Sequence, residues 1–327
     1  MKIPLGPFWD ILAVYLRPLW RRVIVLAVLM FTGIGLQVAN PQIIRYFLDT
    51  AQQTSELQPL LLAGVLFLVF AFVLQITTVT ATYVSEDIGW TATNRLRADL
   101  ALHCLELDMS FHNDRTPGQM IERIDGDIAN LAIFFAQFVV QMLGSALLLI
   151  GVLIALFVED WRIGAVLTIY ALIALVILGK MHGIAVPRWK AAREASADLF
   201  GFIEEQLSGT EDVRASGATS FVMQNLFRFG RVRLEHERAA GVSNTLLVMT
   251  WLGLFTIGQI IAYVSGYTLF RDGSLSIGAV YLIIYYTDAI YRPLEQITEQ
   301  IQNLQKAGAS IERVQELYRT PVRIADG

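Results

Sequence analysis

The amino-acid sequence predicts an all-α membrane protein with six long transmembrane helices. Three observations carry this prediction: six apolar stretches divide the chain, Lys and Arg concentrate on one side of them, and the polar segments on that side are long enough to form helices. A membrane-spanning helix needs about 20 apolar residues, and all six stretches reach or approach that length. The uncharged stretches are residues 23–42, 57–85, 128–158, 163–179, 239–270 and 273–287.

The distribution of positive charge predicts the orientation. Most of the 25 Lys and Arg residues lie before the first stretch, between the second and third, between the fourth and fifth, or near the carboxyl terminus. The opposite side has only Arg45, Arg162 and Arg271, and Arg292 lies within or at the end of the sixth span. Because Lys and Arg are enriched in cytoplasmic loops, both termini of this multi-pass protein of the cell membrane are predicted to be cytoplasmic.

The two long polar segments on that side, residues 86–127 and 180–238, are predicted to be helical, since apolar residues recur in both at helical spacing. Each is predicted to contain two helices joined by a turn, near Thr116 to Gly118 in the first and near Ser216 and Gly217 in the second. At the rise of an α-helix the first would project roughly 30 Å into the cytoplasm. The apolar positions are Leu96, Leu100, Cys104, Leu107 and Phe111, followed by Leu199, Phe202, Ile203 and Leu207.

Several separated segments resemble the transmembrane domain of ABC exporters, in which six spans and two long intracellular loops precede a nucleotide-binding domain. The resemblance covers nearly the whole chain and implies the ABC exporter transmembrane-domain fold. The similar segments are SFHNDRTPGQMIERIDGD (110–127), EEQLSGTEDVRASGATSFVMQNLFRF (204–229), Asp160 with Trp161, SIGAV (276–280), YRPLEQ (291–296) and ASIERVQELYRTPV (309–322).

An amphipathic stripe before the first span is similar to the interfacial elbow helix of that family, with its apolar side opposite Asp10 and Arg17. The alternative is an ordinary signal anchor, which Asp10 and the long lead-in fit poorly. The resemblance implies an elbow helix at residues 1–20, a six-helix transmembrane domain at 21–308 and a linker toward a nucleotide-binding domain at 309–327. The apolar stripe consists of Phe8, Ile11, Leu12, Tyr15, Leu16 and Leu19.

The resemblance also implies a short coupling helix at the tip of each intracellular loop, where exporters of this family contact their ATPase domains. The alternative for the first loop is a solvated helical hairpin with no partner, which its Pro-Gly turn does not exclude. In the second loop, Ser216 stands where the family often has an aromatic residue. The implied residues are Asp114, Arg115, Thr116, Pro117, Gly118 and Gln119 in the first loop, and Ala215, Ser216, Gly217, Ala218, Thr219, Ser220 and Phe221 in the second.

The sequence contains no motif for ATP hydrolysis. A P-loop needs G-x-x-x-x-G-K-[ST], in which backbone amides hold phosphate, but the only Gly-Lys pair, Gly179 and Lys180, is followed by Met181. No cofactor is therefore expected on these residues, and ATP and Mg²⁺ are expected on a nucleotide-binding domain. We expect that domain to continue the polypeptide, because the last helix reaches the position of the family's linker. The alternative is a separate chain.

The most distinctive polar residues within a span are Asp288, Arg292 and Pro293. Asp and Arg four residues apart share a helical face and can form an ion pair, which lowers the cost of charge in a membrane. Two interpretations remain open. Either this face borders the translocation cavity and takes part in gating, or the pair lies at the membrane surface, where water reaches it.

Catalytic and metal chemistry are poorly supported. His103, His112, His182 and His236 all lie in the cytoplasmic segments, and none forms the H-E-x-x-H spacing of a zinc site. Cys104 is the only cysteine, which excludes a disulfide within the chain. An intramembrane enzyme would need nucleophiles or carboxylates clustered at mid-bilayer, and the long spans have none. No catalytic, cofactor-binding or metal-binding residue is assigned.

These observations predict the permease domain of an ATP-driven exporter that works by alternating access in a homodimer or heterodimer. Long helices would transmit the closure of ATPase domains to the substrate pathway. The expected partners are a nucleotide-binding domain, a second transmembrane subunit, the lipid bilayer, here a bacterial inner membrane, and a hydrophobic or lipid substrate, with no nucleic acid. The alternative is an ATP-independent channel or scaffold. In that case the helical extensions formed by residues 86–127 and 180–238, here called stalks, would bind another cytosolic partner.

Overall fold

A computed structural model of the chain describes residues 14–54, 56–113 and 116–321, and these residues contain helices and connecting turns but no strand. The predicted all-α fold class is confirmed. Most of the predicted elbow helix, including Phe8, Ile11 and Leu12, lies outside the described residues. From Val14 the chain is helical, with a 3₁₀ turn at Arg17–Leu19 that leads directly into the first long helix.

Ten α-helices follow along the described part of the chain. Two π-helical segments, Glu122–Asp127 and Phe134–Leu143, connect α4 to α5 and α5 to α6, so the chain is continuously helical from residue 117 to residue 159. The α-helices are α1 (Trp20–Gln53), α2 (Leu57–Glu106), α3 (Met109–Asn113), α4 (Pro117–Ile121), α5 (Ile128–Ile133), α6 (Gly144–Glu159), α7 (Trp161–Ser208), α8 (Thr210–Ala215), α9 (Thr219–Arg271) and α10 (Ile277–Tyr318).

Five helical segments of the described chain are long and apolar enough to cross a membrane: they contain α1, α2, α6, α7 and α9. The sixth predicted span, residues 273–287, falls at the start of α10, which is not among the five. Tyrosines together with Asp288 and Arg292 lower the mean hydropathy of this helix. A membrane crossing by α10 therefore stays a prediction.

Three helices are much longer than a bilayer is thick. Helices α2, α7 and α9 contain 50, 48 and 53 residues. At about 1.5 Å per residue each measures roughly 75 Å, against about 30 Å for the hydrocarbon core of a membrane. Each of the three therefore extends well beyond a single crossing, as the sequence predicts.

The chain divides into two compact units, of which the first comprises Met1–Thr168 and Ile261–Gly327. Within it, α1 packs along α2, α6 and α10. At the predicted cytoplasmic end a core joins the last turns of α2, helix α5 and the end of α10, and the predicted apolar stripe of the first loop contributes to it. Its buried residues are Leu96, Leu100, Cys104, Leu107, Met120, Ile128, Leu131, Phe134, Ala307, Ile311, Val314 and Leu317.

The second unit, Ile169–Ile260, contains most of α7 and α9 as an antiparallel pair. Two hydrogen bonds show the direction: the Tyr170 hydroxyl donates to the Leu254 carbonyl at 2.8 Å, and Arg188 donates to the Ser243 hydroxyl at 2.5 Å. Farther along, the rings of Phe202 and Phe229 stack at 5.0 Å. Of the stripe predicted in this loop, Leu199 is buried, but Leu207 is 70% exposed.

The helix of the first polar segment, residues 86–127, breaks earlier than predicted. Helix α2 ends at Glu106, and Leu107 is extended, with φ −72° and ψ 150°. No Gly or Pro marks this break. The side chain of Leu107 is buried in the core beside Leu100 and Cys104. Spacing alone predicts a continuous helix here, but the backbone of Leu107 is extended where its side chain packs into this core.

The carboxyl-terminal segment assigned by resemblance to a linker does not begin as a separate element. Helix α10 runs without interruption through residues 308 and 309 and ends at Tyr318. Ile311, Val314 and Leu317 are buried in the core described above. The first half of the predicted linker is therefore part of the helical bundle, and residues 322–327 lie outside the described chain.

Candidate functional site

The predicted first coupling helix does not include Thr116, whose backbone is extended. Asp114 and Arg115 lie outside the described residues, and Thr116 is extended, with φ −75° and ψ 147°. The short helix of the loop is α3, which precedes these positions, and α4 begins at Pro117, with Gly118 and Gln119 in its first turn. The role of these residues in contacting an ATPase domain stays a prediction.

Thr116 forms a capping box at the start of α4. Its hydroxyl accepts a hydrogen bond from the Gln119 backbone N–H at 3.4 Å, and the Gln119 side-chain oxygen accepts one from the Thr116 N–H at 3.2 Å. A Thr followed three residues later by Gln, with Pro at the first helical position, is a sequence pattern for a helix start. This pattern was available in the sequence and places a helix start where a turn was predicted.

The second tip contains the predicted turn at Ser216 and Gly217, but its short helix is α8, which ends at Ala215. Gly217 has φ +64°, its N–H donates to the Arg214 carbonyl, and the Ala218 N–H donates to the Val213 carbonyl at 3.0 Å. This pattern is a Schellman C-cap. The other predicted coupling residues, Thr219, Ser220 and Phe221, form the first turn of α9.

Asp288 and Arg292 do not form the predicted ion pair. Both side chains are exposed on α10, and within the described part of the chain no ion pair joins them. Pro293 lies inside α10 and is buried. Since proline has no N–H, it cannot close the helical hydrogen bond at this turn.

Arg292 and Pro293 instead line a cavity of about 340 Å³ within the first unit. Helices α1, α2 and α10, together with the stretch from Gln141 to Leu148, supply its walls, and Asp288 is not among the lining residues. The lining consists of Leu29, Met30, Gly33, Ile34, Gln37, Thr77, Thr78, Ala81, Thr82, Gln141, Gly144, Ser145, Leu148, Arg292, Pro293 and Gln296.

Hydrogen bonds across this cavity connect α10 to the third predicted span. The Ser145 hydroxyl donates to the side-chain oxygen of Gln296. One turn farther along α10, the Gln300 side-chain nitrogen donates to the Gln141 oxygen at 2.7 Å. These amides come from segments far apart in sequence, so no local pattern predicts their pairing.

A second polar cluster lies at the opposite end of the same helices. Arg45 donates to Glu159, whose side chain is only 7% exposed, and also approaches Asp49 at 3.7 Å. Asp49 in turn accepts from the Ser276 hydroxyl at 2.8 Å and from the Gly278 backbone N–H at 2.9 Å. The cluster therefore ties the end of α1 to the end of α6 and to the start of α10.

Gly278 allows this close approach. A methyl group built at its Cα would lie 2.6 Å from both the Arg45 carbonyl oxygen and an Asp49 carboxylate oxygen. Nearby, the Tyr286 hydroxyl donates to the Val38 carbonyl at 2.7 Å and accepts from the Gln42 side chain at 3.1 Å. Helix α10 is thus fastened to α1 by polar contacts as well as by packing.

The predicted cytoplasmic end of α10 is fastened by an ion pair. Arg313 and Ser310 both donate to Asp127, which lies at the end of the first π-helical segment and is 4% exposed in its side chain. Hydrogen bonding to this carboxylate raises the pKa of the Arg313 guanidinium. Beside it, His103 contacts the Leu317 carbonyl at 3.1 Å, and its ring approaches that of Tyr318 at 5.4 Å.

No sequence pattern predicts the ion pairs of Arg45, Glu159, Asp127 and Arg313. Arg45, Glu159 and Asp127 lie close to uncharged apolar stretches, and charges in such positions are expensive unless they are paired. The pairs themselves span long sequence separations, so only the tertiary structure reveals them. Within the described residues, no group of three His, Cys, Asp or Glu side chains is arranged to hold a metal ion.

Comparison with known proteins identifies similarities along most of the chain. The family profile described as ABC transporter transmembrane region matches residues 23–294. A multidrug resistance-like ATP-binding protein, MdlB, of Buchnera aphidicola is 22% identical over 302 residues, which cover 90% of this chain and 50% of that protein.

An ATP-dependent lipid A-core flippase of Idiomarina loihiensis is 23% identical over 285 residues, which cover 84% of this chain and 47% of the flippase. A multidrug efflux ATP-binding/permease protein of Mycobacterium bovis is 22% identical over 290 residues, or 86% of this chain and 24% of that protein. The chain therefore spans about half the length of the first relatives that it matches, or less.

Proposed function

We propose that this chain, which belongs to the family of ABC transporter transmembrane regions, forms the substrate pathway of an ATP-driven exporter. The observation that carries the proposal is the cavity that α1, α2, α10 and the segment at Gln141 enclose at the level of the apolar spans. A cavity with polar walls inside otherwise apolar helices is suited to a molecule that must leave the lipid phase. In this proposal the cavity opens alternately to the two sides of the membrane.

ATP binding and hydrolysis are assigned to a nucleotide-binding domain, either in the same polypeptide or in a separate chain. The relatives support this assignment, since they include proteins named as ATP-binding and ATP-dependent that are about twice as long as the matched region. The present residues lack a P-loop motif, so ATP and Mg²⁺ would bind to that domain.

The two intracellular tips would transmit the motion of the ATPase domains. The residues proposed for contact are those around Thr116 to Gln119 and around Ala215 to Phe221. Phe221 is 66% exposed, and an apolar side chain left in water at a helix start is suited to contact another protein. The long helices α2, α7 and α9 would act as levers that move as nearly rigid bodies.

A second transmembrane subunit is supported by apolar side chains exposed on the second unit. Residues 180–238 lie in the segment predicted to be outside the bilayer, where lipid cannot cover them. Exposed apolar surface of this kind marks protein interfaces, and we therefore place a second subunit, identical or related, against it. The exposed residues include Trp189, Phe200, Leu207, Phe227 and Leu234.

The family relationship and the charge pattern also support a proposal for the substrate class, the membrane and the orientation. We propose export of a hydrophobic or lipid molecule across a bacterial inner membrane, with both termini in the cytoplasm. The support comes from charge segregation in the sequence and from bacterial relatives whose names describe multidrug efflux and lipid flipping.

The proposal is tested by measuring stalk separation in the complex with its ATPase domains. A spin label at Leu207→Cys, with Cys104→Ala to remove the native thiol, is placed on each of the two transmembrane chains. Trapping with ATP and vanadate should shorten the distance between the labels, because closure of the ATPase domains draws the levers together.

The matched control carries the label at Asp272→Cys, in the connection between α9 and α10. Its distance should stay constant or increase, since that end opens or remains still when the stalks close. If the distance between the Leu207→Cys labels does not change with ATP and vanadate, the proposal is overturned. That result would favour an ATP-independent channel or scaffold.

A further inference from the structure

We propose that the cavity between α1, α2, α6 and α10 binds the anionic headgroup of an amphiphile, with the Arg292 guanidinium as the charged contact. This inference rests on the proposed function, because it names the chemical class of molecule that the pathway takes. It is carried by three features of the cavity: its charge, its hydrogen-bond donors and its apolar wall.

The charge of the lining is asymmetric. Arg292 is the one charged residue among the described residues that line the cavity, and its side chain is exposed. The other polar lining residues are uncharged threonine, serine and glutamine. Within the described chain no ion pair involves Arg292. An anion that enters the cavity therefore meets a cation and no competing carboxylate in its walls.

The position of Arg292 along α10 makes an unpaired charge costly. Arg292 lies roughly 22 Å along α10 from Ile277, and Gln37 lies roughly 24 Å along α1 from Gln53, at about 1.5 Å per residue. Both distances, measured from the helix end, are shorter than the roughly 30 Å thickness of a hydrocarbon core, so both residues fall within its span. A cation inside a membrane is usually paired or functional. Binding of an anion would supply the missing partner.

The hydrogen bonds of the cavity leave two side-chain amide groups available as donors. The side-chain oxygen of Gln296 accepts from Ser145, and that of Gln141 accepts from Gln300. Each contact uses one of the two lone pairs of the lining amide oxygen, and the NH₂ group of that amide remains as a donor. The NH₂ groups of Gln141 and Gln296 therefore complement the guanidinium of Arg292.

Two of the lining threonines, Thr78 and Thr82, add no hydroxyl donor to the cavity. Thr78 donates to the Leu74 carbonyl at 2.9 Å, and Thr82 donates to the Thr78 carbonyl at 3.0 Å. Their hydroxyl protons are thus used within α2. Phosphate, sulfonate and carboxylate groups accept several hydrogen bonds and carry negative charge, so they match the guanidinium and the two amides.

The remaining wall of the cavity is apolar, with Leu29, Met30, Ile34 and Leu148 among its lining residues. A volume of about 340 Å³ accommodates a headgroup and the first part of an alkyl chain but not a large soluble anion with its hydration shell. The combination of one cation, two amides and an aliphatic wall selects an anionic amphiphile over a free anion.

The test measures binding of three detergents with the same alkyl chain to the complex in phosphatidylcholine nanodiscs. Dodecyl phosphate, dodecyl phosphocholine and dodecyl trimethylammonium share the alkyl chain and carry an anionic, a zwitterionic and a cationic headgroup, and empty nanodiscs correct for partition into lipid. The wild-type protein should bind dodecyl phosphate about tenfold more tightly than either of the others, the scale of one charge-assisted contact. Equal affinity for all three would overturn the proposal.

Inorganic phosphate distinguishes an amphiphile site from a site for a free anion. It should not displace dodecyl phosphate at equal concentration, because the apolar wall contributes only to alkyl-chain binding. If inorganic phosphate displaces it equally well, the proposed amphiphile site is wrong.

Three variants test whether Arg292 is the source of the headgroup preference. Arg292→Gln should bring the three affinities within about twofold, whereas Arg292→Lys should keep most of the preference because it keeps the charge. Arg271→Gln is the matched control, since Arg271 is an exposed arginine outside the cavity, and it should leave the preference unchanged. A preference that survives in Arg292→Gln would contradict the assignment, and the wild-type comparison decides the outcome even if that variant does not fold.

This outcome is separable from the proposed function. Stalks that close with ATP in a protein without headgroup preference would leave the exporter proposal standing and remove the anionic headgroup. Headgroup preference in a protein whose stalk distances do not change with ATP would leave the anionic-headgroup site standing and remove the exporter proposal.

Discussion

Arg313 donates from Nε to both carboxylate oxygens of Asp127, at 3.1 and 2.9 Å, across a sequence separation of 186 residues. The Asp127 side chain is 4% exposed, whereas that of Arg313 is 45% exposed. The carboxylate therefore depends on Arg313 and Ser310 to compensate for its lost hydration. This contact holds the end of α10 against the helices of the first polar segment, residues 86–127.

We expect Arg313→Gln to destabilise the protein by about 1–3 kcal/mol, because a buried carboxylate loses its charged partner. Asp127→Asn together with Arg313→Gln should be less harmful than the sum of the two single changes, since the double variant leaves no unpaired charge. Thermal unfolding of the purified protein, followed by tryptophan fluorescence, measures the effect.

Glu316→Gln is the matched control for that pair. Glu316 forms a longer contact of 3.4 Å with Arg123 and is 63% exposed. Its loss should cost less than about 1 kcal/mol, as for exposed ion pairs in general. Equal losses for Arg313→Gln and Glu316→Gln would show that burial of Asp127 does not matter.

Gly278→Ala should weaken the junction between α1 and α10. Its added methyl group would lie 2.6 Å from the Arg45 carbonyl and from Asp49, so the helices must separate or Asp49 must release the N–H of residue 278. We expect a loss of about 1–3 kcal/mol, typical of overpacking at a close contact. The midpoint temperature of unfolding reports it.

Gly35→Ala provides the comparison, because nothing lies within 4 Å of the position of its added methyl group. In a helix interior, alanine is favoured over glycine by about 1 kcal/mol. Gly35→Ala should therefore be neutral or stabilising, and a similar loss at both positions would argue against a specific contact at Gly278.

Gly217→Ala should disturb the turn between α8 and α9. Gly217 has φ +64°, a conformation that costs an L-residue about 1–2 kcal/mol. Gly217→Asn should be milder, since Asn tolerates this region better than Ala. Proteolysis of the native protein at the tip measures the change, because local opening exposes the backbone to the protease.

Gly230→Ala, within α9 and with open space around the added methyl group, is the control and should not increase cleavage. If Gly217→Ala is cleaved no faster than Gly230→Ala, the turn does not depend on the glycine.

Labelling of single cysteines tests the predicted orientation. Cys104 is buried and can be replaced by Ala, after which Ser216→Cys and Asp272→Cys report the two sides. A membrane-impermeant maleimide should label Asp272→Cys in intact cells but Ser216→Cys only after the cells are permeabilised. Labelling of Ser216→Cys in intact cells would reverse the orientation and remove the basis for cytosolic ATPase contacts.

The position of Arg292 illustrates how far the sequence could go toward the candidate site. A charged residue and a proline inside an apolar helix indicated a special segment, and Arg292 and Pro293 do line the cavity. The proposed partner of Arg292 was wrong, because spacing shows only that Asp288 can reach it. Whether the pair forms depends on which neighbours surround the two side chains.

The two polar segments also contain one feature that the sequence predicted and one that it did not. Gly217 lies at the turn where its residue type predicted one, since a positive φ is a local property of the backbone. The break at Leu107 was missed because it depends on the burial of that side chain among helices from elsewhere in the chain. Short-range sequence patterns contain no information on such packing.

The sequence by itself determined the all-α class, the apolar helices and the segregation of positive charge, because hydropathy, helical period and charge are properties of single segments. The tertiary structure alone decided that Asp127 meets Arg313, that Asp49 caps the start of α10 and that Gln141 meets Gln300. The physical reason is that a buried polar group must find a partner wherever the fold brings one, and that partner can lie anywhere along the chain.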